Sequence, residues 1–335
     1  MIMMMKAATS MTSSLFTRRS LAALAAATAF GAFAPVHAQQ QRVIHIVVPF
    51  GTGAVQDTIA RAINNELGQA LGASVIVENR AGAGGSVGSS YVAKSAPDGN
   101  TLVLAAASHH IVGHLYKKLD YDPLKDFVGV GYIGNSGYAI VAPAALGASN
   151  TREFIAAVKA KPGAYNYASA GNGSATHLGM ASFVAMAGLD MQHISMKSTG
   201  DAVNEVLAGR VQAVTSSLIG VMGYKDDARV KFIAYTGKQR SRFLPELPTA
   251  AESGLPGYSF DSWIGLLAPA ALPRAELDKI NAALQKTLAD PAVQERLARL
   301  GVESAAMTPD AFHKLLRADW ESSGATVKAS GAKVE

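Results

Sequence analysis

The sequence predicts an α/β protein of two lobes, each an α/β unit. Three observations carry that expectation. Short β-branched runs alternate with helical patterns, glycine-rich turns sit where strand gives way to helix, and a chain of 335 residues can build two cores. Alternation of this kind implies parallel strands joined by crossover helices.

The elements follow in order. Val43–Val48 is a β-branched run stopped by Pro49, and Ile59, Ile63, Leu67 and Leu71 then recur at the spacing of one helix face. Residues 74–78 make a second strand, the glycines of 82–85 punctuate before a helix over 87–94, and 101–104 make a third strand. Ser149 and Asn150 are cap residues for a helix over 151–161. A short strand at 165–168 leads through a second glycine-rich turn, 169–174, into a helix reaching Met186. Residues 211–215 and 230–235 are further buried strands. Leu277, Ile280, Leu284 and Leu288 form one apolar helix face, and Phe312, Leu315 and Leu316 begin another. These last helices are expected to return to the first lobe.

Residues 1–38 have the pattern of an export signal peptide. Lys6, Arg18 and Arg19 form a positive start free of acids, an Ala-rich apolar run follows, and Pro35 precedes a small-residue site ending at Ala38. The apolar run is too short for a bilayer span, which needs roughly 20 residues. Arg18 and Arg19 fit both general and twin-arginine export. Most of the formal net charge of +5 falls in this segment, so basicity is an address and not the mark of a partner. The rest of the chain has no Lys/Arg-rich run and few aromatic residues, which excludes nucleic-acid binding. The absence of cysteine excludes disulfides, thiolate metal sites, Cys nucleophiles and a lipid-modified Cys anchor. A soluble protein exported to a bacterial periplasm is the expectation.

The turns at 51–53, 82–85 and 171–173 each follow a strand and open a helix, the geometry that offers backbone N–H groups to an anion. No Gly-Lys-Ser/Thr closes them and no dinucleotide fingerprint is complete, so phosphate is favoured no more than a carboxylate. His109, His110 and His114 lack the zincin pattern and a third ligand, and are expected in a loop or on a helix surface. His177, one turn into its helix, either faces a ligand or packs. There is no Gly-x-Ser-x-Gly elbow. Asp57, in a helical first turn, is expected to be structural.

The segment VIHIVVPFGTGAVQDTIAR resembles the opening of the tripartite tricarboxylate transporter solute receptors, the Bug proteins, whose usual form is I-V-P-F-x-P-G-G-x-x-D-x-x-A-R. The likeness continues through VIVENRAGAGGSVGSSYVAKSAPDGNTLVLA, YDPLKDF, YASAGNGSATHLGM, LPTAAESGLPGY and WIGLLAP, over about residues 42 to 335. The resemblance implies a type II-like periplasmic binding protein, each lobe a mixed sheet flanked by helices, hinged by two crossing segments. Residues 42–142 with 263–335 would form the first lobe and 143–262 the second. A small organic carboxylate would be trapped between them and delivered to the membrane components of a transporter. The first-lobe wall maps to Phe50, Gly51, Thr52, Gly53, Ala54, Ala106, Ala107 and Ser108. The second-lobe wall maps to Ser169, Gly171, Asn172, Gly173, Ser174 and His177, with Lys197, Ser198 and Thr199. Asp57 would order its helix turn, and Arg80 would tie residues 78–85 together. The resemblance implies no catalysis, cofactor, metal or nucleic acid, and a monomer. A ligand-presenting sensor subunit is the alternative, followed by an exported α/β hydrolase. The usual Pro-Gly-Gly is replaced here by Gly51, Thr52, Gly53 and Ala54, and Pro-Tyr-Lys-Gly by Ser195, Met196, Lys197 and Ser198. These departures point to a roomier pocket for a bulkier mono- or dicarboxylate, aromatic ones included.

Overall fold

The computed structural model describes residues 42–330; the expected export signal, residues 1–38, lies outside them. β1 (Val43–Val48), α1 (Val55–Leu71), β2 (Ser74–Asn79), α2 (Ser86–Ala93), β3 (Thr101–Ala106) and α3 (Ser108–Leu115) open the first lobe. β1 lies between β2 and β3 and is parallel to both, as helical crossovers require. Ile59, Ile63 and Leu67 of α1 share one buried cluster with Ile44, Ile46, Leu102 and Leu104 of the sheet.

β4 (Phe127–Pro143) then runs for 17 residues. It is antiparallel to β9 (Asp261–Pro269) as far as Gly137. From Tyr138 onward it pairs with β7 (Ala213–Ser217) and β8 (Val230–Tyr235). Strand partners therefore change a few residues before 142. The close crossing needs a glycine, because a Cβ at Gly137 would collide with the Tyr235 hydroxyl.

The second lobe begins with α4 (Thr151–Lys159), whose N-cap Asn150 accepts from the Glu153 N–H as expected. β5 (Tyr165–Ser169), α5 (Ala175–Ala187), β6 (Met191–Ser195) and α6 (Thr199–Leu207) follow, with the short α7 (Leu218–Val221) and α8 (Ala250–Ser253) further on. β5 is parallel to β6 and β7. The sheets are thus mixed: β4 and β9 run antiparallel because they carry the chain into the second lobe and back.

After β9, α9 (Arg274–Leu288) buries Leu277, Ile280, Leu284 and Leu288 against the first lobe. α10 (Pro291–Arg299) precedes β10 (Val302–Ser304), which pairs with β4 at Gly134, Asn135 and Ser136. The last helix, α11 (Pro309–Ser330), departs from expectation, since it packs on both α3 and α5. Its Phe312 and Leu316 belong to a buried cluster that also holds Phe154 and Phe183 of the second lobe. No described helix is long and apolar enough to cross a membrane.

Candidate ligand-binding cleft

The loop from β1 to α1 is built by Asp57. Its carboxylate accepts the Gly53 N–H at 2.9 Å, Arg61 Nε at 3.0 Å and Asn79 Nδ2 at 3.0 Å. Asn79 Nδ2 also reaches the Phe50 carbonyl at 3.0 Å. Gly53 adopts φ +83°, a conformation glycine enters without Cβ strain. Burial alone would raise the Asp57 pKa, but the bonds from Arg61, Gly53 and Asn79 outweigh it and hold the carboxyl below the usual range. The Asp and Arg of the opening motif and the Asn of the second therefore serve one purpose, fixing the loop. Arg80 likewise pairs with Glu78 at 2.6 Å and stacks over Tyr91.

Nothing from a side chain caps α1: its N-cap is Ala54 and no side-chain oxygen takes the first-turn N–H groups. α3, opening after Ala107, is uncapped as well, although the Ala107 N–H itself is 3.3 Å from Ser262 Oγ. The second-lobe helices differ. Ser174 Oγ accepts the His177 N–H and Ser198 Oγ accepts the Asp201 N–H. The first lobe thus offers a helix end with open donors, and the second offers hydroxyls on turns already satisfied.

Between the lobes lies a cavity of about 820 Å³. From the expected set its wall includes Phe50, Gly51, Thr52, Gly53, Ala54, Ala106 and Ser108 of the first lobe. Asn172, Gly173, Ser174, Lys197, Ser198 and Thr199 come from the second. Ala107, Ser169, Gly171 and His177 do not reach the wall and shape the turns from behind. Sequence reasoning missed Ser136 and Tyr138 of β4, Ser217 of β7, Ser262 and Ile264 of β9, and Val112 and Tyr116 beside α3, all of which line the cavity. Ser136 and Ser262 are register partners across the two crossing strands. Their hydroxyls come from positions far apart in the chain, so only a knowledge of strand pairing and of the period-2 pleat could have found them. Ser136 Oγ is buried without a hydrogen-bond partner among the described residues. Burial pushes the Tyr138 hydroxyl up to about 12, so it stays neutral, and it bonds to Ser262 on the neighbouring strand.

Lys197 is the one charged side chain among the described residues lining the cavity, and no acid lies on the wall. An open helix end, one ammonium and a floor of hydroxyls together favour an anion whose body meets Phe50, Val112, Tyr116 and Ile264.

His109 and His110 are buried, in contrast to the expected loop or surface placement, and His114 is half-buried on α3. α11 covers His110 and His114, while Tyr121, Pro123 and Phe127 enclose His109. His109 Nε2 donates to the Pro123 carbonyl at 3.0 Å, leaving Nδ1 to accept from Ser89 Oγ at 3.2 Å. Burial, then the neighbouring His110, lower the His109 pKa to about 3. His110 Nδ1 pairs with Asp319 at 2.7 Å and His114 Nε2 with the Trp320 carbonyl at 2.9 Å. Their donor atoms are occupied by α11, and no cluster of metal-ligating residues occurs among the described residues.

Fold and cleft together define a two-lobed solute receptor. The tripartite tricarboxylate transporter family receptor model matches residues 59–332, and the chain belongs to that family of periplasmic solute-binding proteins. BugT of Bordetella pertussis is 32% identical over 309 residues, covering 91% of this chain and 95% of that protein. Among solved structures, MatC from Rhodopseudomonas palustris with bound malate is 29% identical with a TM-score of 0.76, covering 85% of this chain and 99% of that one. Rpa4515 of R. palustris with adipate is 26% identical with a TM-score of 0.79, covering 88% and 99%.

Proposed function

We propose that this protein captures an organic carboxylate in the cleft and delivers it to the membrane components of a tripartite tricarboxylate-type transporter. It acts as a periplasmic monomer, after removal of residues 1–38, and performs no chemistry on its ligand. The observation that carries the reading is the pairing of the uncapped α1 end with Lys197 across a cavity whose wall holds no acid. A carboxylate on α1 meets open N–H donors, and the second lobe then closes hydroxyls and an ammonium over it. The volume of about 820 Å³ and the apolar side chains on the wall suit a bulkier acid than malate, aromatic acids included.

Mass spectrometry of the acid that co-purifies from the native periplasm, followed by calorimetry with that acid, malate, adipate and benzoate-type probes, tests the reading. Tight binding without product formation is expected. Lys197→Met should weaken it about tenfold, the size of one charge-assisted hydrogen bond. Stabilisation by aspartate- and glutamate-sized ligands alone would defeat the bulky-acid reading, and turnover of any bound acid would defeat the receptor reading.

A further inference from the structure

The second-lobe turn on the cleft wall is held by Thr176 Oγ1, which accepts the Ala170 N–H at 2.8 Å, and at both ends by a pair of histidines. Two imidazoles, His177 of α5 and His193 of β6, stack behind it with centroids 3.8 Å apart and planes 18° apart. His177 Nδ1 accepts the Gly173 N–H at 3.1 Å, which places the ring proton on Nε2. His193 Nε2 meets Ser169 Oγ at 2.6 Å. Because Ser169 Oγ donates to the Gly171 carbonyl at 3.1 Å, His193 Nε2 is the donor in that pair. Gly171 (φ +119°) and Gly173 (φ +76°) leave the turn little preference of its own. His177 is 4% exposed.

We infer that His177 and His193 are the positioning residues of the ligand-binding turn, holding Gly173 and Ser169 so that Asn172, Gly173 and Ser174 present to the ligand. The inference rests on the cleft being the ligand site. It needs the His177 ring neutral: a proton on His177 Nδ1 would turn an acceptor into a donor facing the Gly173 N–H, and would set a cation against its stacked neighbour. The groups around the pair are otherwise neutral. Tyr167 of β5 flanks both rings and burial pushes its hydroxyl up to about 12. Among the described residues, no carboxylate or ammonium shifts either imidazole. Burial first, then His193, lower the His177 pKa to about 4, so the arrangement persists through neutral and mildly acidic pH. It is lost as pH falls through about 4.

Three variants separate positioning from simple packing. His177→Phe keeps the stack and removes the acceptor; His177→Asn restores an acceptor near Nδ1 without a titrating ring; His193→Gln keeps a donor near Ser169. Malate and adipate serve as probes by calorimetry, and amide exchange at residues 170–174 is followed without ligand. His177→Phe should lose about tenfold in affinity and exchange Gly173 about tenfold faster, as expected for one lost hydrogen bond. His177→Asn and His193→Gln should stay within about threefold of the unaltered protein. The affinity ratio of the unaltered protein to His177→Asn at each pH cancels the probe's own protonation, and should fall up to tenfold per pH unit below about 4. Equal exchange in His177→Phe and His177→Asn, or a flat ratio, overturns the inference. If neither probe binds the unaltered protein, the choice of these acids fails, and exchange at Gly173 still decides the positioning role.

Discussion

Asp261 lies in an environment unfavourable to its own charge. It sits on β9 with its side chain on the opposite face of the pleat from Ser262, behind the cleft. Its Oδ1 is buried without a hydrogen-bond partner among the described residues. Burial raises its pKa and nearby Glu303 adds to that, while bonds from Asn135 and the Lys238 backbone oppose. Glu303 is itself committed, accepting Ser241 Oγ at 2.7 Å and the Arg242 N–H at 3.1 Å. An acid whose folded pKa lies above its unfolded value contributes its stability in acid. That contribution is lost as pH rises from 3.8 through the raised value. Asp261→Asn is therefore expected to stabilise the protein near pH 7 by roughly 1 kcal/mol, with the gain disappearing at pH 3.5. Urea unfolding at the two pH values checks this, and an equal gain at both would show that the charge is irrelevant. At this scale the sequence was partly readable. Asp57 in a first turn pointed to a structural carboxylate, whereas Asp261 in WIGLLAP's approach carried no sign of burial beside a second acid.

Elements were legible where one face alone is buried. Ile59, Ile63 and Leu67 on α1, and Leu277, Ile280, Leu284 and Leu288 on α9, repeat at helical spacing because their other faces meet water. β4 had no such signal. It is buried along nearly its whole length, interrupted by glycines and by Asn135 and Ser136, so neither period appears. The same burial hid the cleft floor, while the glycine turns of its walls were plain. The missing cap on α1 gives a direct test of what that helix end is for. Ala54→Asp should cap the helix and stabilise the protein by about 1 kcal/mol. The new carboxylate would also occupy the donors assigned to the ligand, so binding of an anionic probe should weaken more than tenfold. Urea midpoint and calorimetry are expected to move in opposite directions. Unchanged affinity in the capped variant would place the ligand's anion elsewhere.

At the scale of the molecule, two lobes would ordinarily suggest two cores that melt separately. Three features argue otherwise. β4 is one strand in both sheets, α11 packs on a helix of each lobe, and one buried cluster runs from Phe127, Trp263 and Phe312 to Phe154, Phe183 and Leu178. Opening either lobe completely would expose part of a core the other needs, so unfolding should be a single cooperative transition. Bending between the lobes is then expected where β4 changes partners, between Gly137 and Tyr138. Both tryptophans report on the joint, Trp263 from β9 and Trp320 from α11, so their fluorescence and far-UV circular dichroism should melt together. A ligand that bridges the lobes at 100 times its dissociation constant adds about 2.7 kcal/mol to the folded state. It should therefore displace the entire transition upward without splitting it. Two separated transitions, with only one responding to ligand, would mean that each lobe owns its core and that α11 is no more than a surface strap.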